Sequence, residues 1–115
     1  MNETLDFKET ENEKKIAKEW FRELRDQFCQ KFEEIDGCKF TRKTWKHSGE
    51  GGGEMSILKG NVFEKVGVNI STVKGEFKED FRKQISGTED NPSYWASGIS
   101  VVAHMQSPYV PAFHF

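Results

Sequence analysis

The sequence lacks an excess of basic residues. Its 115 residues include 17 Lys and Arg against 19 Asp and Glu, which gives a formal net charge of −2. Proteins that bind nucleic acids use an excess of cations to neutralise phosphates. We therefore expect no nucleic-acid partner for this chain.

Long apolar runs are also missing. No stretch approaches the ~20 apolar residues that a membrane-spanning helix needs. The opening residues, Met-Asn-Glu-Thr-Leu-Asp, have neither the basic nor the apolar segment of a secretory signal. We expect no membrane span and a cytoplasmic location.

Cysteine is scarce, and hydrophobic residues make up only 35% of the chain. Cys29 and Cys38 belong to no Cys-x-x-Cys pattern, so we predict two reduced thiols rather than a disulfide or a zinc site. Ten Phe and three Trp residues argue against disorder, because such side chains are costly to leave in water. The length corresponds to one domain or a piece of one.

The first predicted element is a long amphipathic helix. Thr10 and Glu13 fit a capping box at its start, and Asp36-Gly37 fits its end. Its apolar residues recur every three or four positions and form one stripe, which predicts packing on a sheet. The stripe comprises Ile16, Ala17, Trp20, Phe21, Leu24, Phe28, Phe32 and Ile35.

Downstream of Gly37 the pattern indicates strands. We predict strands near residues 40–45, 55–58, 62–73 and 95–105, with a further extended segment from residue 112. Residues 49–53 lack a phosphate-binding pattern and are predicted as a flexible hairpin loop. Gly67 is predicted as a bulge or a close backbone approach. The fold class is α+β, with the long N-terminal helix on a mainly antiparallel sheet of four or five strands.

Three residues are candidates for chemistry. His104 and His114 lie on consecutive extended segments, where antiparallel pairing could bring both imidazoles to one surface. Such a pair could bind a metal or share acid–base work, although the spacing alone favours ordinary structural histidines. Ser100 has no neighbouring base and supports only a hydrogen-bonding role. His47 is expected to be a solvated loop residue.

Several motifs occur together in a characteristic order. After the Gly51–Gly53 run, residues 62–71 read Val-Phe-Glu-Lys-Val-Gly-Val-Asn-Ile-Ser. Residues 96–104 read Ala-Ser-Gly-Ile-Ser-Val-Val-Ala-His, and residues 107–115 read Ser-Pro-Tyr-Val-Pro-Ala-Phe-His-Phe. The three stretches resemble the Val-Phe-Glu-Lys-Ala-Gly-Val-Asn-x-Ser, Ala-x-Gly-x-Ser-x-Val-x-His and Asn-Pro-x-x-Pro-x-x-His motifs of the oxygen-dependent coproporphyrinogen oxidases.

That resemblance implies a role in haem biosynthesis. These enzymes convert two propionates of coproporphyrinogen III to vinyl groups, with O2 as co-substrate and no organic cofactor; the need for a divalent metal is open. Carried over, Ser100 contacts substrate, His104 is a metal ligand, and His114 is both a metal ligand and a catalytic proton donor. The resemblance also implies a homodimer and a larger sheet flanked by helices. We expect the face that carries Val101, Ala103 and Phe113 to form one wall of the substrate cleft.

Two departures from the family pattern bear on the site. His104 is followed by Met105 instead of Pro, and the Asn-x-Arg expected after the second histidine is absent because the sequence ends at Phe115. We therefore interpret residues 1–115 as the N-terminal part of a single oxidase domain, apparently truncated and inactive alone. Two alternatives stay open: a non-enzymatic tetrapyrrole-binding or oligomerisation module, and a small metal-binding protein.

Overall fold

The computed structural model describes residues 3–88 and 90–115, with side chains from Phe7 onward. Helix α1 (Glu3–Asp36) is followed by strands β1 (Thr41–Lys46), β2 (Glu50–Leu58) and β3 (Phe63–Glu76), the short helix α2 (Glu79–Arg82), and strands β4 (Ser93–Met105) and β5 (Phe113–His114). Within this part of the chain, neither helix combines the length and apolar character needed to cross a membrane.

The five strands form one antiparallel sheet in the order β1-β2-β3-β4-β5. The sequence-based prediction of an α+β fold with a long helix and up to five antiparallel strands is therefore confirmed. Every connection joins neighbouring strands, so the topology is a meander. The longest link, between β3 and β4, contains α2.

The C-terminal end of α1 was predicted correctly, but its start was not. Gly37 has a φ of +90° and its N–H donates to the carbonyl of Glu33 at 2.8 Å, as expected for a glycine that ends a helix. The prediction of a capping box at Thr10 is wrong, because the helix extends back to Glu3. Residues 3–9 contain no Pro or Gly, so nothing in them stops the helix.

The glycine run is strand rather than loop. Gly51, Gly52 and Gly53 pair with β3, and Gly52 and Gly53 also pair with β1. A Cβ at Gly52 would collide with the backbone carbonyl of Trp45, and Gly51 has a φ of +91°. The glycines therefore let three strands approach where side chains would not fit, which composition alone could not reveal.

The two faces of the sheet differ in what covers them. We call the side packed against α1 the helix face and the other side the open face. Leu58, Val66, Val68, Val101 and Ala103 are fully buried on the helix face. Phe28 and Phe32 of α1 pack against this core, and the ring of Phe32 meets Phe63 edge-on at 5.1 Å.

The apolar stripe on α1 is only partly buried, and the residues of the stripe that are partly covered are Ala17, Phe21, Leu24, Phe28 and Phe32. Trp20 and Ile16 are 49% and 57% exposed, and Ile35 is 53% exposed. Arg25 is instead buried, and it forms ion pairs with Asp26 and Glu54. The prediction that the whole stripe docks on the sheet is therefore correct only for part of the helix.

Asp36 joins the end of α1 to the turn between β2 and β3. Its carboxylate accepts hydrogen bonds from the backbone N–H groups of Val62 at 2.8 Å and Phe63 at 3.0 Å, and also from those of Asn61 and Cys38. Gly60 has no side chain, and a Cβ there would collide with this carboxylate. The hydrogen bond from Phe63, followed by those from Val62 and Asn61, holds the pKa of Asp36 well below its usual range.

We predict that Asp36→Asn destabilises the fold at neutral pH, because an amide offers these four N–H donors only one oxygen. The pKa of Asp36 is lower in the folded state, so its contribution is complete above about pH 4 and is lost as the pH falls further. The difference in free energy of unfolding between wild type and variant, measured with urea, should be larger at pH 7 than at pH 3. Asp80→Asn, at an exposed carboxylate on α2, is the control. An equal difference in free energy of unfolding at the two pH values would contradict this role of the Asp36 carboxylate.

Candidate functional site

Strand β4 divides its side chains between the two faces of the sheet. Val101 and Ala103 are fully buried beneath α1, whereas Ser100 and His104 are exposed. Successive side chains of a strand point to opposite faces, so Ser100, Val102 and His104 all lie on the open face. Two of the three candidate residues therefore share one surface.

Strand β5 brings the third candidate to the same surface. His114 is the register partner of Val102, so its side chain also lies on the open face. The rings of His104 and His114 have centroids 5.9 Å apart and an interplanar angle of 50°. The sequence-based expectation that antiparallel pairing would bring these imidazoles together is confirmed.

Aromatic packing on the helix face holds β5 in place. The rings of Phe113 and Phe115 lie 6.3 and 5.3 Å from the ring of Phe28 on α1. The backbone of Phe115 also exchanges two hydrogen bonds with Val101, at 2.8 and 2.9 Å. Because His114 lies between two phenylalanines that face α1, its imidazole is directed to the open face.

Ser100 lies on this surface but at a distance from the histidines. It is four positions from His104, which corresponds to about 13 Å along a strand. Its register partner is Asn69 of β3. The spacing does not suit a nucleophile and base in contact, and it does suit polar groups at separate points of one large ligand.

The predicted wall of the cleft is on the wrong face. Val101 and Ala103 were expected to line it, but both are sealed against α1 with no exposed surface, and Phe113 packs on Phe28. The register places other apolar side chains on the open face, with Val102 beside the histidines and with Ile57 and Met55 on β2, across β3 from them. The error arose because Val101 and Val102 are both apolar, so alternation could not tell which one faces α1.

The open face is positively charged. Lys43 is the register partner of Met55, and Lys65 is the partner of His104; both lysines are exposed. Among the paired strand positions that the structure places on this face, none is Asp or Glu. Sequence reasoning missed Lys43, Lys65 and Asn69, which only the register could assign to this surface.

His47 and the two cysteines lie apart from this group. Nε2 of His47 is 2.6 Å from the hydroxyl of Tyr94, so the expectation of a solvated loop histidine is wrong. Both cysteines are free, as predicted. Burial raises the pKa of the Cys29 thiol, and a hydrogen bond with Asp36 raises that of Cys38, so neither thiol is activated as a nucleophile.

The residues present supply only part of a metal site. His104 and His114 offer two nitrogen donors, and within residues 3–88 and 90–115 no group of three or more His, Cys, Asp or Glu is arranged to hold a metal ion. Zinc sites in proteins use three or four protein ligands. We therefore derive no chemical step through a metal.

Comparison with known proteins gives a consistent result. Residues 16–115 match the family described as Coproporphyrinogen III oxidase. The chain is 51% identical over 112 residues to a Rickettsia felis protein named oxygen-dependent coproporphyrinogen-III oxidase, covering 89% of this chain and 40% of that protein. It is 52% identical over 116 residues to the protein of the same name from Rickettsia typhi, covering 92% and 41%. The chain thus spans about two-fifths of the length of these relatives.

The presence of only two histidine ligands in the described site leads to a prediction about metal binding. After treatment with a chelator, the 115-residue chain should bind added Zn²⁺ only weakly and lose it on gel filtration, because two imidazoles cannot complete the coordination sphere. His104→Gln should remove the residual binding, and His47→Gln should not. Stoichiometric zinc that survives gel filtration would contradict the two-ligand description and favour a small metal-binding protein.

Proposed function

The chain belongs to the coproporphyrinogen III oxidase family, and from that premise we propose that it supplies the substrate-bearing sheet of an oxygen-dependent coproporphyrinogen III oxidase. In this proposal residues 1–115 form the N-terminal part of a single catalytic domain. The substrate is coproporphyrinogen III, O2 is the co-substrate, and no organic cofactor takes part. Two propionate side chains each lose CO2 and two electrons to become vinyl groups, and O2 accepts the four electrons and is reduced to water, which yields protoporphyrinogen IX.

One observation carries the proposal. Ser100, His104 and His114 lie on a single face of the sheet that no described element covers, and the opposite face is filled by α1. A tetrapyrrole is broad and largely apolar, and it carries carboxylate arms. A wide surface with Met55, Ile57 and Val102 at its centre and lysines beside them suits such a ligand.

The proposed roles follow from position and chemistry. His114 acts as a proton donor to the substrate, because an imidazole can carry and release a proton near neutral pH. His104 stands beside it, with ring centroids 5.9 Å apart, where it can share that proton work or hold one side of a metal ion. Ser100 lies about 13 Å away along β4 and donates or accepts a hydrogen bond at another part of the substrate.

Two expectations from the sequence stay predictions. They are a cytoplasmic location and a homodimeric full-length assembly. Of the two alternative functions, the metal-binding protein is the weaker, because the histidine pair offers only two donors. A tetrapyrrole-binding module without turnover is the behaviour that we expect of the 115-residue chain alone.

We test the proposal with a chimera in which residues 16–115 replace the matching segment of the Rickettsia felis relative. We expect oxidase activity, measured as protoporphyrin fluorescence after incubation with coproporphyrinogen III and O2. His114→Gln in the chimera should lower kcat by about 10²-fold or more, the usual scale for loss of a general acid. The 115-residue chain alone should show no turnover.

The third histidine provides the matched control. His47→Gln should leave the chimera near its unsubstituted activity, because His47 bonds Tyr94 at the other end of the sheet. A chimera that keeps its full kcat with His114→Gln would contradict the role given to that residue. Turnover by the 115-residue chain alone would contradict the view that it is only part of the catalytic domain.

A further inference from the structure

Glycine in the interior of a strand is unfavourable unless something requires it. Six glycines lie within the paired positions of β2, β3 and β4, namely Gly51, Gly52, Gly53, Gly67, Gly75 and Gly98. They can be sorted by what a Cβ at each position would meet. The fold needs some of these glycines and does not need the others.

Four of the six are required by their neighbours. A Cβ at Gly51 or Gly52 would collide with the backbone of an adjacent strand. At Gly53 it would lie 2.7 Å from the indole of Trp45, and at Gly75 it would lie 2.9 Å from the hydroxyl oxygen of Tyr94. These contacts explain the absence of side chains without any ligand.

Gly67 and Gly98 have no such explanation. A Cβ at Gly67 would meet only Nδ2 of Asn69, at an ordinary contact distance of 3.6 Å. A Cβ at Gly98 would meet nothing within 4 Å. Neither residue has a positive φ. Within this chain, side chains would fit at both positions and would favour the strand conformation.

Both unexplained glycines lie on the open face. Gly67 is the register partner of Val102, and Gly98 is the partner of Ser71. Asn69 and Ser100, partners of each other, lie between the two glycines along β3 and β4. The result is two gaps in the side-chain layer of the open face, about 13 Å apart along the strands. One gap lies beside Val102, the register partner of His114, and the other lies beyond Ser100.

We propose that these two gaps at Gly67 and Gly98, with the Asn69–Ser100 pair between them, form a shelf on which the macrocycle of a tetrapyrrole lies. The proposal rests on the proposed function and adds two specificity-determining positions to the same site. A side chain at Gly67 or Gly98 would fill one of the gaps and push the macrocycle away from His114 or Ser100.

Charge and polarity favour this occupant over a covering protein segment. Lys43 and Lys65 of the open face form no ion pair with any side chain that the structure describes, which suits a ligand with several carboxylate arms. An apolar helix laid on the same surface would bury Asn69 and Ser100 without hydrogen-bond partners, at a cost in free energy. A tetracarboxylate with a polar rim avoids that cost.

The test is a titration of the 115-residue chain with coproporphyrin III, the stable oxidised form of the macrocycle, followed by absorbance and fluorescence. We expect Gly67→Val and Gly98→Val each to weaken binding by at least about tenfold, equivalent to about 1.4 kcal/mol, with Gly67→Ala intermediate. Ser93→Val, at an exposed position near the start of β4, should bind within about twofold of wild type. Thermal unfolding midpoints of the glycine variants should not fall, because valine favours strands.

Three other outcomes would each overturn the proposed shelf. Equal binding by wild type and both valine variants would overturn the shelf and leave the proposed function standing. Valine variants that keep their affinity but lose self-association would show that a second copy of the chain covers this face, and would also overturn it. A wild-type chain that does not bind coproporphyrin overturns the shelf for this chain, while the activity of the chimera decides the proposed function separately.

Discussion

Side chains alternate between the two faces of a strand, and in this sheet α1 covers only one face. That constraint determines which side chains form the site. Val101 and Ala103 are sealed beneath the helix, so their neighbours Ser100 and His104 must lie on the other side. The same alternation in β5 buries phenylalanine rings against Phe28 and directs His114 to the open face.

The alternation buries the correct set of side chains only because α1 is held in a fixed position on the sheet. Asp36 provides that link, since its carboxylate binds backbone N–H groups of the turn that leads into β3. Arg25 provides a second link through its ion pair with Glu54 of β2. A one-residue slip of β3 or β4 would exchange its buried and exposed sets and would disperse the histidine pair. The stability of the core and the geometry of the site therefore depend on the same contacts.

The sequence predicted the helix end at Gly37, the antiparallel sheet and the pairing of His104 with His114, because each depends on local patterns or on neighbouring strands. It did not predict the start of α1, since no residue there stops a helix. It could not identify Gly51 to Gly53 as strand, because the reason is the backbone of β1 and β3. Nor could it choose between Val101 and Val102 as the buried residue, because both are apolar and only packing against α1 separates them.

The central claim is that a tetrapyrrole lies on the open face and not between the helix and the sheet. Methyl NMR tests it most directly, because a bound macrocycle shifts the signals of methyl groups beneath its ring. On addition of coproporphyrin III, the account predicts large shifts for the methyls of Ile57 and Val102 and small ones for Leu58 and Val101, their immediate neighbours on the helix face. Larger shifts at Leu58 and Val101 would contradict it.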